Sequence, residues 1–395
     1  MRKKILFLIT SLTGGGAERV VCNLSRVLEK DADIDILINS ESDRDYPHGG
    51  HVLTLGMDFT KKLTWSVQLK ALLKRMSILR KLKKDGGYDA CISFMDSANF
   101  ANILSGRKHC KVIVSERIML SQCRTKNYIR FVHPAVKLLY PHADVVAAVS
   151  KECALDLKRN FGIPKDKLTA VYNGVDLPFI KEMADKKPAV ELEEDCFYFL
   201  NIGRLLQQKG QWHLIRAFSR VSRSHKNARL MICGSGSDEA YLKKLAKECG
   251  VSKEVIFVGF CDNPYAIASR CDAYVSTSLF EGFSNVLIEA MACGLPVISV
   301  DFKSSAREIL SPDTSFEHKQ MKGIERAEYG LITPQNSGIY REGSDPLEES
   351  ESALVKAMEL MIKDDEVRKH YREKSLERAQ QLSLENIAGE WLELV

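Results

Sequence analysis

The sequence predicts an α/β protein built from two doubly wound parallel-sheet domains. Three observations carry this. At 395 residues the chain exceeds the size at which one hydrophobic core stops growing. Short apolar runs alternate with stretches of helical spacing, the pattern of parallel strands joined by crossover helices. After a charged, proline-punctuated stretch ending near Asp195, that pattern restarts at Phe197. The expected organisation is a first domain over 1–180, a linker over 181–196, a second domain over 197–375 and a C-terminal helix over 376–395 with room to cross back to the first domain.

Composition narrows the class. Hydrophobic residues make up 45% and charged residues 28%, ordinary for a globular protein and wrong for a disordered or collagen-like one. The 11 cysteines are odd in number and none is spaced Cys-x-x-Cys, so buried free thiols in a reducing compartment are expected in place of a disulfide framework or zinc site. The opening MRKKILFLIT imitates a secretory signal, but its apolar run is short and leads straight into SLTGGGAERV; it reads as a buried strand. No run is long enough for a transmembrane helix. The net charge of +5 is uneven: residues 1–180 carry 29 Lys+Arg against 18 Asp+Glu, a balance of +11, and the remainder is at −6. A basic first half implies an anionic surface or substrate on that side.

The elements follow in order. Lys4–Thr10 is apolar enough for a central parallel strand. Thr13–Gly16 is a glycine loop, and Ala17–Leu28 has helical spacing through Val20, Val21, Leu24, Val27 and Leu28. Strand, glycine loop and helix start form a phosphate-cradle arrangement. Gly14-Gly15-Gly16 is neither the dinucleotide fingerprint nor a Walker loop, and a plain tight turn is the other reading. Ile34–Ile38 is a second strand; Asp31 and Asp33 precede it and Asp35 lies at its start, the wrong end for a metal site. Leu63–Lys84 combines helical spacing of leucines with cations at Lys61, Lys62, Lys70, Lys74, Arg75, Arg80, Lys81, Lys83 and Lys84, and Trp65 near its start. Either it is a surface helix with a solvated basic face, or that face lies on an anionic membrane leaflet. No nucleic-acid motif accompanies it.

Tyr88–Phe94, Lys111–Ser115 and Val145–Val149 read as further buried strands. At their ends lie Met95 and Asp96, then Glu116 and Arg117, then Ser150. Glu116 and Arg117 are either a neutralised pair or substrate-facing. Tyr172–Asp176, containing Asn173, is a turn closing the first half. The second half opens with Phe197–Gly203 and the segment Arg204–Gly210; the two cations and two glycines of the junction 203–210 suit a diphosphate, Arg204 as a planar fork and Lys209 as a point charge. Leu230–Cys233, ending in Gly234-Ser235-Gly236, then Val255–Gly259 and Ala273–Ser278, are successive strands opening on the same crevice. Ser305–Glu349 reads as an irregular insertion containing a strand-like YGLIT, and Ala353–Ile362 and Asp364–Leu382 as closing helices.

The densest chemistry lies in Phe280–Asp301, FEGFSNVLIEAMACGLPVISVD. Glu281 precedes a helix and Glu289 lies inside it. Gly282 permits a tight approach, and Ser284 and Asn285 are good N-cap types. The amides of such a first turn lack intrahelical partners and form an anion site.

These residues resemble the retaining, nucleotide-sugar-dependent glycosyltransferases of family four, of GT-B architecture. The resemblance spans nearly the whole chain and rests on GGGAERV, VYNGVD, NIGRLLQQKG, VGFCDNPY and above all EGFSNVLIEAMACGLPVISVD. It implies two Rossmann-like domains facing across a cleft, the second holding the donor and the first the acceptor. Arg204 and Lys209 would then bind the donor diphosphate, Glu289 the ribose hydroxyls, and Glu281 would face the donor sugar. The turn Gly282, Phe283, Ser284, Asn285 and Val286 would complete the phosphate site, and Gly15 and Gly16 would close over it. The base would lie near Gly259 and Phe260; Asn173, Gly203 and Gly234 complete the expected substrate-binding set. Two departures stand out. Relatives often carry Gly-Gly-Pro-Arg-Glu where this chain has Ser304-Ser305-Ala306-Arg307-Glu308, and a histidine where it has Glu116 and Arg117; Glu116 would then be a polar contact to the donor sugar.

The implied reaction needs no metal and no cofactor beyond the donor, which is expected to be a UDP-sugar. Fixed cations stabilise the leaving diphosphate, and domain closure aligns the acceptor hydroxyl. Retention follows if the leaving phosphate oxygen takes the acceptor proton on the same face; Glu281 acting as nucleophile is the other route. The resemblance points to N-acetylhexosaminyl or hexosyl transfer to a lipid-linked or surface glycan, by a protein inside the cell and peripheral on the inner leaflet. A non-hydrolysing UDP-sugar epimerase and a non-catalytic nucleotide-sugar-binding protein are the other readings.

Overall fold

The structure is a computed structural model describing residues 2–56, 65–315 and 321–395, with side chains described outside 65–71. The chain gathers into two units, Met1–Gly174 with Leu384–Val395, and Val175–Ser383.

In the first unit, strands β1 (Lys3–Leu8), β2 (Ala32–Ile38), β3 (His51–Thr54), β4 (Ala90–Phe94), β5 (Lys111–Glu116), β6 (Val145–Ala148) and β7 (Leu168–Ala170) form one sheet in the order β3-β2-β1-β4-β5-β6-β7, with every pairing parallel. Helices α1 (Gly16–Leu28), α2 (Trp65–Asp85), α3 (Asp96–Leu104), α4 (His133–Leu139) and α5 (Lys151–Phe161) are the crossovers. Central β1 buries Ile5, Leu6, Phe7 and Leu8 because helices cover both faces. Strand order reverses between β1 and β4, which opens a crevice at their carboxyl ends. Asp35 is absorbed structurally, accepting the Tyr88 hydroxyl at 2.5 Å. The closing helix Leu384–Glu393 belongs to this unit and buries Trp391 with its ring 5.7 Å from that of Phe94.

The expectation of one continuous basic face over 61–84 needs correcting. Lys61 and Lys62 lie outside the described residues, as do the side chains of Trp65 and Lys70. Four of the remaining cations serve the fold. Buried Arg75 donates to Asn39 Oδ1 at 2.7 Å. Buried Lys83 donates to the carbonyls of Asn102 and Gly106 at 2.8 and 2.9 Å. Lys74 and Arg80 tie to the carbonyls of Leu55 and Leu104. Arginine and lysine reach along a helix to satisfy carbonyls that the neighbouring turns leave open. Lys81 and Lys84 remain exposed.

The second unit begins with α6 (Leu177–Ala184), capped by Asp176, whose carboxylate accepts the Phe179 amide at 3.1 Å. This helix occupies the start of the expected linker. Then follow β8 (Phe197–Ile202), α7 (Gln211–Ser224), β9 (Ala228–Cys233), α8 (Glu239–Glu248), β10 (Val255–Gly259), α9 (Tyr265–Ala268), β11 (Ala273–Ser276), α10 (Asn285–Ala292), β12 (Val297–Val300), α11 (Ala306–Leu310), β13 (Glu325–Arg326), β14 (Leu331–Thr333), α12 (Glu349–Lys363) and α13 (Asp365–Gln381). The sheet runs β10-β9-β8-β11-β12-β14-β13, parallel except for the edge strand β13. The strand-like YGLIT thus extends the sheet beside β12. Helix α7 is fixed to α12 by a buried ion pair: Arg216 Nε and Nη2 lie 2.9 and 3.1 Å from the two carboxylate oxygens of Glu351. Order again reverses, here between β8 and β11.

Candidate active site

The crevice between β8 and β11 is where the second unit concentrates its functional groups. Glycine makes the approach possible. At Gly234 (φ +147°) a Cβ would overlap the carbonyl of Gly203, so the ends of β8 and β9 touch backbone to backbone. Gly210 (φ +60°) ends the short turn Gln207–Lys209 in the left-handed region and starts α7. That turn aims Lys209 across the crevice. Its Nζ lies 2.5 Å from Glu281 Oε1. Ser278 Oγ donates to the same oxygen at 2.8 Å, and Gln208 Nε2 donates to Oε2 at 3.2 Å and to the Phe280 carbonyl at 2.9 Å. Backbone and side chain also stitch the two loops together. The Leu279 amide donates to the Gln208 carbonyl at 2.8 Å, and Thr277 Oγ1 to the Lys209 carbonyl at 3.0 Å. Glu281 is thus a buried carboxylate held by three donors.

Glu289 lies half-buried on α10. Both acids bear on one neighbour, the buried phenol of Tyr274 in β11. Burial first, then Glu281 and Glu289, push its titration well above the ordinary range. Arg204, on the same loop as Lys209, is exposed and has no hydrogen bond or ion pair from its guanidinium among the described residues. Gly259 (φ +77°) ends β10, and Phe260 beyond it is 76% exposed.

The turn into α10 departs from expectation in one respect. Ser284 is the N-cap but makes no side-chain cap. Its own amide is taken by Ser305 Oγ at 3.2 Å, so it is not a free donor to an anion. Ser304 Oγ donates to the Gly282 carbonyl at 2.5 Å. Both serines hold positive φ, +67° and +95°, at the positions where the resembling family often has two glycines. Gly282 and Asn285 lie in the same turn with buried Phe283, and Val286 on its first helical turn. Arg307 grips Asp301 Oδ2 at 2.9 Å and Glu325 Oε2 at 2.9 Å, a structural clamp under this loop.

In the first unit, Gly15 is the N-cap of α1 and Gly16 its first residue. The Glu18 carboxylate crowds the place a Gly15 Cβ would take, an acid already seated at the positive end of the helix. Asn173 is buried near the unit's end. Glu116 is buried at the end of β5. Its Oε1 accepts the amides of Arg117 and Ile118 at 3.0 and 3.3 Å, and its Oε2 accepts the Tyr140 hydroxyl at 2.9 Å. Burial and then Asp96 push this carboxyl up to about 8. The Arg117 guanidinium goes instead to Ser115 Oγ at 3.2 Å and over Phe94, while the nearby Glu116 still favours its charged form against the effect of burial. Asp96, after the strained Met95 (φ +76°), accepts the Tyr128 hydroxyl at 2.8 Å. The sequence reading noted Asp96 at a strand end but gave no role to it, to Ser278 or to Gln208. Their strand-end positions were the available signal.

A fixed cation set against a carboxylate at the switch point of a parallel sheet stands where open α/β proteins take their ligands. The comparisons give the family. Residues 14–179 match Glycosyltransferase Family 4 and residues 182–323 match Glycosyl transferases group 1. A glycosyltransferase of Methanocaldococcus jannaschii is 31% identical over 349 residues, 84% of each chain. The Campylobacter jejuni N-acetylgalactosamine-N,N'-diacetylbacillosaminyl-diphospho-undecaprenol 4-alpha-N-acetylgalactosaminyltransferase is 29% identical over 400 residues, 99% of this chain and 98% of that one. Anabaena HepE, solved in complex with UDP, superposes with a TM-score of 0.72 over 99% of both chains at 19% identity, which shows a shared fold. The chain belongs to the family-four glycosyltransferases, with the two parallel-sheet α/β units of the GT-B fold.

Proposed function

We propose that this glycosyltransferase moves an N-acetylhexosaminyl or hexosyl group from a UDP-sugar to a lipid-linked glycan, with retention. The observation that carries the reading is the Lys209–Glu281 contact at the β8–β11 switch point. The donor diphosphate lies against Lys209 and the unpaired Arg204, Glu289 takes the ribose hydroxyls, and Glu281 orients the sugar. Exposed Phe260 offers a face to the base. The bond from the anomeric carbon to the phosphate oxygen breaks, and its electrons go to that oxygen, where the two cations stabilise the charge. The acceptor oxygen bonds to the same face of the sugar, and its proton passes to the leaving phosphate oxygen. The Campylobacter relative, named for a diphospho-undecaprenol acceptor, supports a lipid-linked acceptor. The +11 balance of residues 1–180 supports work at an anionic membrane face, and no helix among the described residues is long and apolar enough to cross a membrane.

The test is turnover in Arg204→Ala and Lys209→Ala, measured beside the melting temperature. Loss of a fixed charge on the developing anion lowers kcat by roughly 100-fold or more. Arg204→Ala breaks no hydrogen bond or ion pair among the described residues and is expected to leave the melting temperature unchanged. Near wild-type turnover in both variants rules out the diphosphate assignment.

A further inference from the structure

Between Glu116 and Asp144 the chain runs 27 residues without a carboxylate, and five are Lys or Arg. This stretch leaves the carboxyl end of β5 and returns as β6. Its middle is helical, one wide turn over Tyr128–Val132 running into α4. One side is fastened to the unit. The Tyr128 hydroxyl donates to Asp96 at 2.8 Å, His133 Nε2 lies 3.1 Å from the Leu120 carbonyl, and Val136 and Tyr140 are buried.

The other side stands out in solvent. Ile129, Phe131 and Leu138 are 54, 44 and 69% exposed. Among the described residues the first unit exposes only one other large apolar side chain, Leu73. Arg124, Lys126, Arg130 and Lys137 alternate with them, all exposed, and none is ion-paired among the described residues. The Arg130 guanidinium sits over the Phe131 ring at 5.4 Å, so cation and apolar surface are presented together.

Apolar side chains interleaved with cations and free of acids suit an interfacial helix on anionic lipid. A protein partner is the poorer match, because lysine is depleted at the cores of protein interfaces. The fastening to Asp96 and Glu116 sets this surface at the rim where β4 and β5 end, the edge at which open α/β sheets take their ligands. We propose that residues 124–138 are the surface by which the chain docks on an anionic bilayer. Ile129, Phe131 and Leu138 enter the acyl boundary, and Arg124, Lys126, Arg130 and Lys137 meet lipid phosphates. The purpose of that docking, presenting a lipid-borne acceptor to the first unit, rests on the proposed transferase reading; the surface itself does not.

The full chain is sedimented with vesicles of phosphatidylcholine alone and of phosphatidylcholine with phosphatidylglycerol. Wild type is expected to bind the phosphatidylglycerol vesicles, less so as salt rises. Phe131→Asp with Leu138→Asp lowers the partition at least tenfold, and Arg130→Glu with Lys137→Glu does the same. Lys81→Glu with Lys84→Glu, on α2, leaves it within twofold. Donor binding, read as the thermal shift given by a UDP-sugar, stays unchanged in all variants, which separates a failure of docking from a failure of the transferase reading. Wild type that ignores phosphatidylglycerol overturns the proposal, as does undiminished binding by the Phe131/Leu138 variant. So does a two-copy particle by light scattering that this variant splits without any vesicle binding, which would assign the face to a second copy.

Discussion

Ser305 sits at φ +95° with its side chain fully committed to the Ser284 amide. A non-glycine residue there costs on the order of 1–3 kcal/mol, and the hydrogen bond returns about 1 kcal/mol. Ser305→Ala keeps the strain and loses the bond, whereas Ser305→Gly loses the bond and relieves the strain. Thermal melts should therefore rank the glycine variant above the alanine variant, and the opposite order would refute the strain argument. Glu116 makes a second point at this scale. Its carboxyl holds a proton up to about 8 in the fold, against an ordinary value of 4.5. Across that interval the folded chain binds more protons than the unfolded one, so this group makes stability fall as pH rises from about 4.5 to about 8. Glu116→Gln removes that decline. Melting temperature followed from pH 5 to 8.5 should drop less in the variant, and parallel curves would exclude it. The identities of Glu281, Glu289 and Lys209 were legible in the sequence because strand ends and helix starts carry a pattern. The Ser278 and Gln208 contacts were not, since hydroxyl and amide side chains look alike in loops and in sites until distances are known.

Among the elements, central strands such as β1 and β8 were plain from their apolar runs, and their parallel pairing follows from the alternation with helices. Helix α2 shows where a one-dimensional reading fails. Its cations were counted as a face, but Arg75 and Lys83 are buried and bound to Asn39 and to the carbonyls of Asn102 and Gly106. Long cationic side chains bridge to neighbouring backbone, and the sequence does not record which neighbours have carbonyls to offer. The stretch 124–138 has fewer cations, yet all four are exposed and none is ion-paired among the described residues. Charge density along a chain is thus a weaker guide to a charged surface than the partners each cation finds. Strand β14 was likewise read as part of an insertion, because three residues are too few to announce a strand without the sheet edge that β12 supplies.

For the whole molecule, the division of labour follows the charge: the basic half supplies most of the first unit and the acidic half the second. The expected C-terminal helix begins near 376; the structure gives α13 through Gln381 to the second unit and Leu384–Glu393 to the first. Trp391 is buried in the first unit with its ring 5.7 Å from that of Phe94. Trp391→Ala should cost about 3–5 kcal/mol, the usual range for emptying a buried aromatic site. Because the loss falls on the first unit, hydrogen exchange should show β1 and β4 loosened while β8 and β11 keep their protection; equal loosening of both would contradict it.

That helix also sets an order of events at the ribosome. Sheet strands β1 to β7 emerge early, but the indole that completes their packing is translated only after every residue of the second unit. The leading half must wait, unsealed, while the trailing half is made and can close upon itself unaided. A growing polypeptide arrested before Leu384 should therefore present its first unit to chaperones and proteases, with the second unit already resistant to both.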